Sequence, residues 1–222
     1  TLDDPNRFRF EADEFYLTVT NVGMTLRPDL FDPHTVHFHG KANAAPVFDG
    51  MPEGSFGVNM GSSITYYYAK PEPGTYMYHC HQEATEHMQM GMLGSLFVKP
   101  AQDGTPRTFG GRTFTRFVYD DGDGSTGYDV AAALQLGSMD HVFHELHLGI
   151  QPLPFANMRD TYPMINGRGY PDTVNPGPLP APDENGGIAS QPVTALVRAR
   201  QGERVRLRIS NLNVTNYYTV TA

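Results

Sequence analysis

The chain has 222 residues, 39% of them hydrophobic, which is enough for one large or two small domains with true cores. Its formal net charge is −8, with Lys and Arg scattered rather than clustered, so there is no basic footprint for nucleic acid or an anionic membrane surface. No apolar run approaches the ~20 residues of a membrane-spanning helix, and Thr1 to Phe10 lacks the basic and apolar blocks of a signal peptide.

Tryptophan is absent while Tyr numbers 12, Phe 13, Gly 23 and Pro 18, a balance that favours short strands and many turns and predicts an all-β protein. In chain order, alternation marks Glu14 to Thr20, then Ser63 to Tyr68. The run Tyr66-Tyr67-Tyr68 reads as strand packing on a half-buried edge rather than a redox relay. Pro71-Glu72-Pro73-Gly74 is a turn signal ahead of a strand over Thr75 to Tyr78, so His79, Cys80 and His81 leave a strand end and enter a loop. Gly94 to Val98 is a further apolar strand.

From Ala101 to Met158 the pattern weakens. Asp120 to Gly124 reads as a solvated turn, because the closing bidentate Glu of a calcium loop is missing at the required spacing. A short apolar piece over Ala131 to Leu136 suggests strand plus connector. The segment Glu203 to Asn211 can be laid over Asp13 to Asn21 with its apolar positions in register, which points to two copies of one β-sandwich unit, the second opening near Tyr162 to Gly167. The expected organisation is a first domain over 1–105, a connector over 106–158, and over 159–222 the start of a second sandwich too short to close, as in a fragment of a longer polypeptide.

The nine histidines fall into three groups: His34, His37 and His39; His79, His81 and His87; His141, His144 and His147. On an extended strand, residues two apart share a face, so His37 and His39 point one way, as do His79 and His81. Two such pairs on neighbouring strands can converge on metal ions, and imidazole alone leaves copper, zinc and iron open. Cys80 is the single cysteine, which excludes an internal disulfide and leaves a thiol for other work. A thiolate with two imidazoles and a long thioether contact is the donor set of a blue copper electron-transfer site. His87 follows Cys80 by seven residues and Met92 follows His87 by five, so one loop can deliver all three, with His34 arriving from elsewhere. Met88 and Met90 are reserve axial candidates. Because Cys80 is flanked by His79 and His81, short covalent paths join its sulfur to both imidazoles.

The spacing His34-Thr35-Val36-His37-Phe38-His39-Gly40, with His79-Cys80-His81, His87, Gly91 and Met92, resembles the two copper signatures of the multicopper oxidases, laccase-like members of the cupredoxin superfamily. Asp49-Gly50 and Pro73 to Tyr76 also resemble that family's first domain. The likeness spans roughly residues 8 to 100 and, more loosely, 160 to 222. It implies Greek-key cupredoxin sandwiches, the second incomplete in this chain. It also implies type 1 copper on His34, Cys80, His87 and Met92. By the same likeness His37, His39, His79 and His81 are four of the eight histidines around a type 2/type 3 trinuclear cluster, so that His37, His39, Cys80, His79 and His81 carry the chemistry.

The activity implied is one-electron oxidation of a phenolic or metal-ion reductant coupled to reduction of dioxygen to water, in a periplasmic or extracellular setting. The alternatives are a copper nitrite reductase-like enzyme, against which His37 and His81 stand as extra histidines, and an electron-transfer cupredoxin with an incomplete cluster. Three departures from the family pattern stand out. The gap from Cys80 to His87 is two residues longer than is typical of laccases, and type 1 copper falls in the first domain. The segment after Asn211 has no histidine pair and resembles the copper-free middle domain of three-domain laccases. The missing four histidines are therefore expected from a further domain or from another subunit of a symmetric trimer.

Three further features read as structural. His141, His144 and His147 recur every three residues, but no partner completes a coordination sphere, and they are expected to be solvated or hydrogen-bonded. Glu83 and Glu86 are expected in a solvated acidic loop, with steering of a cationic reductant as the other reading. Asn213-Val214-Thr215 matches a glycosylation sequon of low specificity.

Overall fold

β1 (Glu14–Thr20) runs antiparallel to β3 (Ser63–Ala69), with Glu14 opposite Ala69 and Thr20 opposite Ser63. The computed structural model describes residues 14–23, 31–40, 45–69, 72–146, 149, 153–189 and 191–221. Pro71, His147, Asp13 of the repeat and the stretch from Thr1 to Phe10 lie outside them. A second sheet has the order β2-β4-β5, from β2 (His37–Phe38), β4 (Gly74–His79) and β5 (Leu93–Val98), all antiparallel.

The two sheets share one core. Phe38, Tyr66, Tyr68, Leu96 and Val98 are buried together, with Phe15, Leu17 and Val19 of β1 packed against them. Phe38 meets Phe15 edge-on at 5.9 Å between ring centroids and Tyr68 at 5.0 Å. Such pairs add about 0.5–1.5 kcal/mol each beyond the area they bury. The tyrosine run divides by strand parity. Tyr66 and Tyr68 point into the core, while Tyr67 points out and donates its hydroxyl to Glu14 at 3.2 Å.

The weakly patterned stretch contains a hairpin, β6 (Arg107–Phe109) and β7 (Arg112–Phe114), joined by Gly110 and Gly111. Both glycines have positive φ (60° and 76°), the backbone a tight two-residue turn demands. In the polar loop that follows, Asp121 accepts the N–H groups of Gly124 and Thr126. Its carboxylate is thus occupied by the turn it sits in.

The chain divides into two compact units, one ending at Tyr128 and one running from Asp129. The stretch expected as a connector is split between them. In the second unit, β8 (Val130–Met139) lies parallel to β10 (Val205–Asn211) and antiparallel to β9 (Tyr162–Ile165). β10 forms where the repeat places it, but its faces are used differently from those of β1. Val205, Leu207 and Ile209 are 39–50% exposed, whereas Arg208 and Ser210 are buried. Among the described residues, no helix is long and apolar enough to cross a membrane.

Two charged residues organise this second unit. The carboxylate of Asp160 accepts from the hydroxyls of Ser138 and Thr215 and from the N–H groups of Val214 and Thr215. Thr215 of the sequon is therefore engaged in the fold. Arg168, fully buried, donates to the carbonyls of Asp172, Asn175, Gly177 and Gln191. His141 stands at the start of the short helix α2 (His141–Leu146), against the Tyr162 ring.

Candidate metal centre

Alternation along β4 ends with His79, and the chain then leaves the sheet with Cys80 and His81. On β2, His37 lies directly opposite His79, and Phe38 opposite Tyr78. The histidines thus occupy one face of these strands and the aromatic core residues the other. Gly50, at φ +75°, lets its loop pass against β2, where a Cβ would stand 2.1 Å from the Val36 carbonyl oxygen.

Two of the four paired histidines, His37 and His79, have a defined tautomer. His37 Nδ1 is 2.6 Å from the Asp49 carbonyl oxygen, and His79 Nδ1 is 2.7 Å from that of Cys80. A carbonyl only accepts, so each ring carries its proton on Nδ1 and presents a lone pair on Nε2. His79 Nε2 lies 2.9 Å from His39 Nε2, and the His37 ring is 5.3 Å from that of His81. Burial, reinforced by neighbouring imidazoles, holds His39 and His79 below the usual histidine range. Neutral rings with facing nitrogens are what a metal ligand set requires.

Cys80 belongs to a second cluster. Its Sγ is 3.3 Å from His87 Nδ1 and 3.9 Å from His34 Nδ1, and these three donor atoms lie within 4.8 Å of one another. His34 is fixed by reciprocal backbone bonds with Val58, at 3.1 and 2.7 Å. His87 is returned toward Cys80 by a short helix, α1 (Ala84–Gln89), whose entry at Glu83 has a left-handed backbone (φ 50°). The Glu83 carbonyl accepts the N–H groups of both Glu86 and His87 at 3.1 Å. The longer gap between Cys80 and His87 is thus taken up as helix.

Met92 is tied to the same cluster through its backbone: its N–H donates to the His87 carbonyl at 2.9 Å, and its carbonyl accepts the Cys80 N–H at 3.0 Å. Met90 is 60% exposed. Burial pushes the Cys80 thiol up and His87 down from their ordinary values, so the apoprotein holds a thiol and a neutral imidazole. Metal binding would displace the thiol proton. The donor set of one sulfur and two Nδ1 atoms fits copper, and the Nε2-presenting histidines fit it equally well.

Several residues of this site were not singled out in the sequence. Thr35, fully buried between His34 and Val36, donates its N–H toward Cys80 Sγ at 3.5 Å, and its hydroxyl accepts the His81 N–H at 3.1 Å. Asp32 brings its carboxylate to both ligand imidazoles, 3.1 Å from His87 Nε2 and 3.5 Å from His34 Nε2. Asn21, also buried, donates to the carbonyls of Asp32 and Val58 at 2.7 and 2.9 Å. The Asp-Pro-His run was visible as a possible signal for Asp32; nothing local marks Asn21 or Thr35.

The expected solvated acidic loop needs correction. Glu83 is exposed, but α1 turns Glu86 inward to 2% exposure. Burial, with Glu83 and Asp32 nearby, pushes its carboxyl up to about 7.

A multicopper oxidase family model matches residues 16–103. No curated protein sequence matches the chain. Among solved structures, a blue copper oxidase from Nitrosomonas europaea is 20% identical with a TM-score of 0.59, over 90% of this chain and 48% of that one. Another multicopper oxidase is also 20% identical, with a TM-score of 0.55 over 92% and 50%. A copper nitrite reductase from Nitrosomonas europaea is 16% identical, with a TM-score of 0.53 over 90% and 53%. At these identities the likeness speaks to fold, and this chain spans about half the length of each. Residues 16–103 thus match the multicopper oxidase family model, and the chain shares the all-β cupredoxin fold of these structures.

Proposed function

We propose that this chain is the electron-entry part of a copper oxidase, with type 1 copper on His34, Cys80, His87 and Met92 and with His37, His39, His79 and His81 as half of a type 2/type 3 trinuclear cluster. The observation that carries this reading is the use of opposite ring nitrogens: Nδ1 of His34 and His87 faces the Cys80 sulfur, while Nε2 of His79 faces Nε2 of His39. Bound copper would supply one-electron acceptance from a small reductant at the thiolate site and reduction of dioxygen to water at the histidine-only site.

The chain's own residues hold and orient. Cys80 is the one residue that belongs to the first donor cluster while sharing its backbone with two imidazoles of the second. Its N–H is held by Met92, and its carbonyl fixes the His79 ring. Thr35 ties the two clusters together through Sγ on one side and His81 on the other. The buried aromatic core under β2 and β4 keeps the register that puts His37 opposite His79. The remaining cluster histidines would come from a further domain or a partner subunit, and the setting is proposed to be periplasmic or extracellular.

Copper quantitation with electron paramagnetic resonance on the purified chain tests this. A blue thiolate-to-copper absorption with the narrow hyperfine splitting of type 1 copper is expected, and its absence sinks the reading. Oxygen uptake compared with nitrite turnover then separates an oxidase from a nitrite reductase-like enzyme. A blue protein that does neither is an electron-transfer cupredoxin.

A further inference from the structure

We infer that Asp32 is the residue that sets the donor nitrogen of both type 1 histidines: one carboxylate accepts the Nε2 protons of His34 and His87 together and so leaves Nδ1 of each ring as the lone pair facing Cys80. The inference rests on the copper reading above and adds to it a positioning residue.

The geometry is specific. Each oxygen serves a different ring, Oδ1 lying 3.1 Å from His87 Nε2 and Oδ2 3.5 Å from His34 Nε2. On the other side of the same rings, both Nδ1 atoms face one sulfur. A neutral imidazole has one N–H and one lone pair, so an acceptor at Nε2 determines that the ligand is Nδ1. The His37 and His79 rings meet the converse arrangement, with carbonyl acceptors at Nδ1. The two clusters therefore differ in the side on which their rings meet an acceptor. Glu83 also approaches His87 Nε2, but at 3.9 Å with an exposed side chain, so it ranks behind Asp32.

Asp32 is itself held. Asn21 is 5% exposed and donates both to the Asp32 carbonyl and to the carbonyl of Val58, the residue paired with His34. One carboxamide thus locks the acceptor residue and one ligand into a common frame. An anionic acceptor on a ligating imidazole raises the basicity of that ligand and favours the more highly charged metal state. Removing the charge should therefore raise the reduction potential.

The test compares the wild-type chain with Asp32→Asn, which keeps the shape, and Asp32→Glu, which keeps the charge. In the metal-free protein, nitrogen-15 imidazole spectra should place the proton of His34 and His87 on Nε2 in the wild type and show mixed tautomers in D32N. After copper loading, D32N should shift the one-electron equilibrium with a reference donor at least tenfold toward the reduced form, about 59 mV upward. D32E should recover most of that shift. A wild-type Nδ1–H tautomer, or a D32N equilibrium within twofold of wild type, overturns the inference. Should D32N not fold, the wild-type tautomers decide. Should copper fail to give a type 1 site at all, the functional reading falls, and the metal-free tautomers still judge Asp32.

Discussion

The two units bury polar side chains to opposite ends. In the second unit, Asp160 and Arg168 are fully buried, and the nearby backbone consumes their hydrogen-bonding capacity: Asp160 accepts from Val214 and Thr215, and Arg168 donates to four carbonyls. In the first, His79, Cys80 and His87 are also buried, yet each keeps a donor atom facing another such atom. Burial alone therefore does not mark a site. What marks it is buried capacity left over after the backbone has been served.

The sharpest way to break this comparison is Cys80→Ser. It should abolish the blue absorption completely while leaving the far-ultraviolet circular dichroism of the β-sheets in place. Loss of the fold instead would make Cys80 a core residue and not a ligand. The counterpart in the second unit is Arg168→Met. It removes a fully buried guanidinium that donates to the carbonyls of Asp172, Asn175, Gly177 and Gln191, and should cost about 3–5 kcal/mol in denaturant unfolding, with the copper spectrum of the first unit unchanged.

Glu86 gives a smaller and pH-dependent effect. Its carboxyl is pushed up to about 7 from the ordinary 4.5, so between those values the folded chain binds more protons than the unfolded one. The associated stability is fully present below about 4.5 and is lost as pH rises through 7. Glu86→Gln should consequently gain on the metal-free wild type as pH is raised, by on the order of 3 kcal/mol at pH 8. Histidines with depressed values shift stability the other way but cancel in this difference. Thermal midpoints of both proteins at pH 4.5 and pH 8 measure it, and a gap independent of pH would count against a buried acid. Smallest of all is Thr18→Val, which removes a hydroxyl pair with Thr65 on the exposed face. Its effect on unfolding should stay within about 0.5 kcal/mol, because water replaces what is lost.

Much of the first unit was legible in its sequence. Alternation located β1, β3 and β5, and the turn before Thr75 put His79-Cys80-His81 at a strand end, because strand period and turn chemistry are local properties. The Gly110-Gly111 hairpin is equally local, but its strands of three residues each are too short to carry a clear alternation. Helix α1 was not foreseen, since six residues carry too little periodicity, and with it went the burial of Glu86. Asp32, Asn21 and Thr35 owe their roles to chain segments brought together from 21, 32, 58 and 80, and no window along the sequence contains that meeting. The repeat placed β10 correctly but not its exposed side, since which face is covered depends on what packs there.

The pairing of β2 with β4 is only two residues deep, His37 with His79 and Phe38 with Tyr78. Sliding one strand by a single position would turn the histidines into the aromatic core and send Phe38 out toward water. Bringing His37 and His79 together depends for that reason on correct pairing: a mispaired chain separates these two imidazoles. Copper held by the paired histidines should then report strand registration as well as metal content.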